Sequence, residues 1–291
     1  MIDVFNIPSQ QQQTFTFYAT GNWQTWSKPR GAKMIEIFCL GAGGGGGSPV
    51  VTVGNANGGA GGGSAGIVRG LIPAFLLPDT IYILVGKGGV GASTSVAVGG
   101  TGGISYIGLQ PSISEQTLIC KSSTSVAAGG GNTTVGGAGA SISTVALSAF
   151  GNLGLFTAIA GVAGGTSGNS VPTSGASQDA LGTNLTTGGA GGGGKNISAF
   201  AAGGNITLAT AILTTQVNGG VTTGQNGADG YGTLQPFCGT GGAGGAGITT
   251  GAGGNGGNGY YGCGGGGRGA GSILSKSGDG GDGLIIITVI C

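Results

Sequence analysis

The sequence predicts a mainly β protein. We expect a β-sandwich-like base built from the N- and C-terminal strands, and glycine-rich loops folded into a bundle of polyproline-II, or polyglycine, helices. Three observations carry that expectation. Glycine supplies 76 of the 291 residues, far above the usual ~7%. Alternating apolar segments stand at both ends of the chain. No window of useful length combines 3.6-residue apolar spacing with freedom from glycine.

Such a composition excludes an ordinary side-chain core over most of the chain. Glycine brings nothing to bury and loses about 0.5–1 kcal/mol more than alanine on ordering. Dense main-chain hydrogen bonding, or association with other chains, has to compensate. Disorder is disfavoured, because only 6% of the residues are charged and the mean hydropathy is +0.32. A chain that stays solvated and unfolded has the opposite composition.

In chain order, residues 1–13 read as a short polar N-terminal segment without the basic stretch of a signal peptide. Residues 14–291 read as one glycine-rich β domain, with a base from 14–40 and 284–291 and a glycine-rich body from 41–283. Thr14-Phe15-Thr16-Phe17-Tyr18 alternates polar and aromatic positions, and Met34 to Leu40 alternates again, so both are expected strands. Between them, Gly21-Asn22, Trp23, Trp26 and Lys28-Pro29-Arg30-Gly31 read as a turn-rich segment. Further strands are expected over Gly66 to Ile72, Thr80 to Val85, Ile104 to Leu109 and Thr117 to Lys121, each bounded by Gly or Pro. Asn152 to Ala163 and Ile206 to Val217 come nearest to helices. The second, rich in Thr and β-branched residues, reads equally as two short strands. Leu284 to Ile290 is almost continuous Ile and Val, the pattern of a strand buried on both faces.

Glycine blocks at 41–47, 58–63, 86–91, 99–103, 188–194 and 239–283 fill the spaces between. Gly-Gly-Ala and Gly-Gly-Asn triplets recur without a strict Gly-X-Y period or abundant proline, which excludes collagen. In polyproline-II form three residues make one turn of about 3.1 Å rise per residue. With glycine at most positions, neighbouring helices approach until their backbones touch and exchange N–H···O=C bonds.

Little in the chain supports chemistry. Nine basic and eight acidic residues give a net charge of +1, so no basic stripe exists for nucleic acid. The longest apolar runs fall short of the ~20 residues of a membrane span, and no membrane insertion is expected. Five cysteines, an odd number, are widely spaced without C-x-x-C, and histidine is absent. This disfavours a disulfide framework or a zinc site and fits buried free thiols in a chain assembled in a reducing cytoplasm. Lys87-Gly88-Gly89-Val90-Gly91-Ala92-Ser93-Thr94 resembles the deviant Walker A loop of the ParA and MinD class of ATPases, but Ala92 replaces the phosphate lysine and no capping helix follows. Asp279 and Asp282 resemble the Gly/Asp repeats that bind calcium. A single repeat reads instead as turn-forming or capping aspartates. No catalytic residue, cofactor or metal is expected, and the chain is read as not an enzyme. Candidate receptor or partner contacts are the aromatic residues Tyr231, Phe237, Tyr260, Tyr261, Trp23 and Trp26, with packing as the competing reading.

The succession TFTFYATGNWQTWSKPRGAKMIEIFCLGAGGGGG is followed by IYILVGKGGVG, AAGGGNTTVGGAG and a terminal GGDGLIIITV. From Thr14 to Val289 this order resembles the glycine-rich domains of bacteriophage tail-fibre, adhesin and related virion proteins. The resemblance implies a structural component at the virion surface or tail, assembled in the host cytoplasm. It also implies other virion proteins and further copies of the chain as partners, a homotrimer favoured, and a host receptor that is a glycan or an outer-membrane protein. The alternative is a capsid decoration, head-fibre or minor capsid protein with a purely architectural role. The Gly-Gly-Ala and Gly-Gly-Asn triplets also resemble mycobacterial glycine-rich surface proteins, and Gly-rich bundles occur in ice-binding proteins.

Overall fold

The computed structural model describes residues 12–123, 128–142, 154–180, 185–208, 213, 215–234 and 237–291. Their strands are β1 (Gln13–Tyr18), β2 (Gln24–Ser27), β3 (Met34–Leu40), β4 (Ile67–Pro73), β5 (Thr80–Leu84), β6 (Tyr106–Gly108), β7 (Leu118–Lys121), β8 (Leu155–Ile159), β9 (Gln178–Ala180), β10 (Ile206–Leu208), β11 (Gly232–Leu234), β12 (Phe237–Gly239) and β13 (Leu284–Ile290). A single 3-10 turn at Ala74–Leu76 is the helical content of the described residues.

Two antiparallel sheets form the base. One has the order β1-β13-β3-β4-β8 and the other β2-β5-β6-β7. The C-terminal strand inserts between the first and third strands, with Ile287 opposite both Phe15 and Ile37. Period-2 alternation decides what each sheet buries. Ile35, Ile37 and Cys39 point inward with Ile285, Ile287 and Val289, and meet Trp26, Ile81, Ile83, Ile107 and Ile119 of the second sheet. The result is a sandwich core. On the outer face of the first sheet, Phe38, Leu40, Ile67 and Leu284 are covered by Phe237 and, in part, by Leu234, Tyr260 and Tyr261. Double coverage explains the unbroken apolar sequence of β13 near its start, where Leu284 and Ile285 are both fully buried.

Two expectations change. The turn-rich reading of residues 21–31 misses β2, which pairs Trp26 with Ile81. The helical reading of Asn152 to Ala163 is corrected over its described part: Leu155–Ile159 is an edge strand on β4. Gly151 to Leu153 lie outside the described residues. Of Ile206 to Val217, Ile206–Leu208 is a strand, and Val217 makes an isolated antiparallel bridge to Ile206. Residues 209–212 and 214 lie outside the description.

Beyond the base the chain shuttles back and forth as glycine helices. The 41–48 segment donates in a three-residue cycle. Its amides at 41, 44 and 47 reach the carbonyls of Gly66, Gly63 and Ala60. Those at 42, 45 and 48 reach Gly103, Gly100 and Ala97, and those at 43 and 46 reach Gly281 and Gly278, all at 2.8–3.2 Å. Its carbonyls accept from Gly89 and Ala92, from Gly131 and from Gly265. Six neighbouring segments thus surround one helix, as a threefold screw requires. Segments 58–66, 188–195 and 262–270 repeat the pattern.

At many interior positions close approach requires glycine, while Ala60, Ala190 and Ala243 fit at others. A Cβ on Gly44 would overlap the carbonyl of Gly129, and one on Gly264 would overlap the carbonyl of Gly62. Serine hydroxyls make the joints where strands become helices. Ser105 Oγ donates to the Leu40 carbonyl at 2.6 Å and accepts from the Gly86 amide at 3.0 Å, while Ser122 Oγ accepts from the Ser105 amide at 2.9 Å.

At the bundle surface one of the three donor directions has no further helix to meet. Asn and Asp side chains take it. Asn226 and Asp229 accept from the amides of Asn255 and Asn258 at 2.8 and 2.6 Å. Asn255 and Asn258 accept from Lys276 and Asp279 at 2.8 and 2.9 Å. Asp279 and Asp282 accept from Gly91 and Gly88 at 2.6 and 2.7 Å. The three-residue spacing of these residues in the sequence is the helical repeat itself.

Candidate binding face at the far end of the bundle

The hydrogen-bond register fixes which loops share an end. Ser48 pairs with Ala97, Gly59 with Arg268, Gly58 with Gly168, Ala56 with Lys195, and Thr52 with Gly271. Loops 49–57, 93–98, 133–135, 169–173, 196–200, 221–226, 249–253 and 271–275 therefore gather at the end opposite the sandwich. None of them contains Asp, Glu, Lys or Arg.

Many of the exposed apolar side chains lie at this end, while Phe75 at 82%, Leu155 at 77% and Ile113 at 63% are exposed at the base. Val53 is 78% exposed, Val171 76% and Ile197 76%, and Val96, Val221 and Ile273 are also exposed. A groove of about 420 Å³ opens among them, lined by Pro49, Val50, Thr52, Asn55, Val96 and Ser170 with neighbouring small residues. Val96 lies at φ 54° and is the non-glycine residue with positive φ among the described residues. A β-branched side chain is strained there. Its amide donates to the Pro49 carbonyl at 3.1 Å, so the strained turn is tied to the groove wall.

Local chemistry shapes these loops. Asn132 Oδ1 accepts from the amides of Thr134 and Val135, and Asn196 Oδ1 from those of Ser198 and Ala199, turns that Asn forms with its own following backbone. Two buried cations hold the loop roots. Arg268, fully buried, donates from Nε to Ser48 Oγ at 2.7 Å and from Nη2 to the Pro49 carbonyl at 3.0 Å. Burial pulls its guanidinium down to about 10. Lys195 is also buried, donates from Nζ to the Thr249 carbonyl at 2.9 Å, and is lowered by the same desolvation. Hydrogen bonds from both side chains to Ser48, Pro49 and Thr249 offset part of the desolvation cost and tie the loop roots together.

The aromatic residues singled out in the sequence all lie away from this end. Phe237 is buried with its ring 5.1 Å from that of Phe38. Tyr260 and Tyr261 meet edge to face at 4.9 Å, and Tyr261 lies 6.1 Å from Tyr18. These residues come together over the outer sheet face. Tyr231 is separate, its amide and carbonyl both bonded to Thr240 Oγ1. Trp26 is buried in the sandwich, edge-on to Phe15 at 6.0 Å, and Trp23 is half-buried at the base.

The Walker-like loop has its amides at Gly88 and Gly91 occupied by Asp282 and Asp279. Carboxylates from the adjacent helix sit where a phosphate cradle would present free donors. Cys39, Cys120, Cys238 and Cys263 are free and buried, and Cys291 is half-buried. Burial pushes Cys263 up to about 12. A hydrogen bond with Cys120, then burial, raises Cys39. Such thiols are poor nucleophiles.

Reasoning from the sequence missed the loop residues. Their signal was present: Val-Val-Thr-Val, Ser-Thr-Ser-Val, Asn-Thr-Thr-Val, Val-Thr-Thr and Ile-Thr-Thr interrupt the glycine blocks. Each is too short to be a strand and too apolar for an ordinary solvent loop.

The family model described as a glycine-rich domain matches residues 18–289. No curated protein matches the chain.

Proposed function

The chain belongs to the glycine-rich domain family, and from that premise we propose that it is a virion structural protein, a phage fibre or adhesin element that presents a host-binding surface. The single observation that carries this reading is the gathering of charge-free, apolar loops at one end of a rigid bundle. Monomeric soluble surfaces rarely collect exposed apolar groups in one place unless a partner covers them. The bundle places the loops far from the sandwich, which leaves the base for attachment to other virion proteins or further copies of the chain. An uncharged Val/Thr/Asn surface suits a protein or a neutral glycan on the host better than a charged polymer. In electron micrographs of particles labelled with antibody to the loop 49–57, gold on external fibres or surface projections is expected. Label confined to the capsid interior refutes the reading.

A second reading is a purely architectural decoration, head-fibre or minor capsid protein. What favours it is the bundle itself, a rod whose backbone contacts resist deformation. Copy number separates the two: tens to hundreds per particle on an icosahedral array supports decoration, and a few per particle supports a fibre.

A further inference from the structure

An exposed glycine helix has the same weakness as an edge strand. Its outward amides can accept a further helix, and that helix can come from another molecule. On the side formed by segments 86–91, 254–259 and 276–282, outward amides at Gly88, Gly91, Asn255, Asn258, Lys276 and Asp279 are closed by side chains. The 254–259 helix makes the case. Its amides at 254 and 257 reach the carbonyls of Ala246 and Ala243, and those at 256 and 259 reach Lys276 and Asp279. The remaining two, at 255 and 258, find Asn226 Oδ1 and Asp229 Oδ1. In the interior 41–48 helix the same third direction is filled by a whole neighbouring helix.

We propose that this side is a latent self-association surface, complementary to a second copy of this chain, and that the rows Asn226/Asp229, Asn255/Asn258 and Asp279/Asp282 hold it shut. The proposal does not rest on the functional reading given above. Each side-chain oxygen occupies the donor that a neighbouring copy's carbonyl would need. Each side chain also stands in the space a second backbone would enter, as a Cβ at the closely packed interior glycines Gly44 and Gly264 would overlap a neighbouring carbonyl. The partner is specified by the same geometry: only another threefold glycine helix repeats its carbonyls every third residue.

The test uses the full chain with Asn226→Gly, Asp229→Gly, Asn255→Gly and Asn258→Gly combined. Glycine fits the helix and removes the oxygen and the obstruction together. In multi-angle light scattering across a concentration series, the mass of this variant is expected at least to double relative to the wild type. Hydrogen exchange should show the amides of Lys276 and Asp279 protected in the assembled form. The paired variant Asn255→Asp and Asn258→Asp keeps the acceptor and is expected to keep the wild-type mass. A glycine variant that retains the wild-type circular dichroism and the wild-type mass at every concentration overturns the proposal. So does assembly in which the bundle amides have lost protection, because that is aggregation of unfolded chain. Adsorption to host cells is a separate readout, and its outcome bears on the functional reading alone.

Discussion

In the sandwich, Ile35, Ile37, Ile285 and Ile287 are fully buried because alternation turns every second side chain toward the other sheet. In the bundle, Gly44, Gly62 and Gly264 are equally buried with no side chain to hide. The first region is held by apolar area removed from water. The second is held by amide–carbonyl bonds at about 2.9 Å, repeated in three directions around each helix, none of which could form if the backbones stood a methyl group further apart. The two cores therefore respond to mutation in opposite senses: the sandwich suffers when side chains shrink and the bundle when they grow.

The largest expected effect comes from breaking the bundle. Gly264→Val would drive a side chain into the Gly62 carbonyl and the Gly189 amide. Neither is the flexible end of a side chain, so the cost lies at or beyond the ~1–3 kcal/mol of ordinary overpacking. A lost or strongly lowered cooperative transition in a urea melt is expected. Gly54→Ala is the matched control, with only Thr52 Oγ1 near at 3.7 Å, and should change stability by less than ~0.5 kcal/mol. A tolerant Gly264 would remove the distinction between the two cores.

Next comes the opposite substitution in the sandwich. Ile287→Ala removes a fully buried side chain from the middle of β13, and a loss of about 2–5 kcal/mol is expected in the same melt. Ala243 and Ala190, buried in the bundle, set the comparison. Converting either to glycine removes one methyl and should cost less than Ile287→Ala.

The sandwich was legible in the sequence because side-chain alternation is a sequence property. The strands at 14–18 and 34–40 follow it, and the one at 284–290 announced itself by continuous Ile and Val, the pattern of a strand covered on both faces. β2 escaped because Gln24-Thr25-Trp26-Ser27 carries one core residue between turn signals, and β8 because Leu155 to Ile159 lies at an edge with both faces partly open. Glycine density announced the bundle, but which helix neighbours which is set by main-chain register, and glycine carries no side-chain pattern to encode it. Asp279 and Asp282 were readable as caps, whereas the amides they cap, at Gly91 and Gly88, lie almost two hundred residues away in sequence. The aromatic residues drew the reading of the site because they are the large side chains in the glycine tracts. Their size is also what the outer sheet face buries.

A smaller effect sharpens the comparison at the boundary between lattice and solvent. Asp282→Ala leaves the Gly88 amide without its acceptor, and about 1.5–3 kcal/mol should be lost, the scale of a hydrogen bond to a charged group. Asp282→Asn keeps an acceptor oxygen and should recover most of it. Equal losses for both would mean that the charge, and not the oxygen's position, closes the helix.

The smallest effect on stability is expected at the far loops, and there the two regions separate from function altogether. Val53 and Val171 are exposed and belong to neither core. Val53→Ser with Val171→Ser should therefore move the melting transition by less than ~0.5 kcal/mol. Arg268 and Lys195 anchor the loop roots from beneath through Ser48, Pro49 and Thr249, so the backbone of the face should keep its shape when these side chains change. If the face binds a partner, the double variant loses apolar area at the contact while the scaffold is untouched, and attachment should weaken without loss of fold. Attachment that survives both substitutions unchanged would move the binding surface off this end and return Tyr260 and Tyr261 to first place.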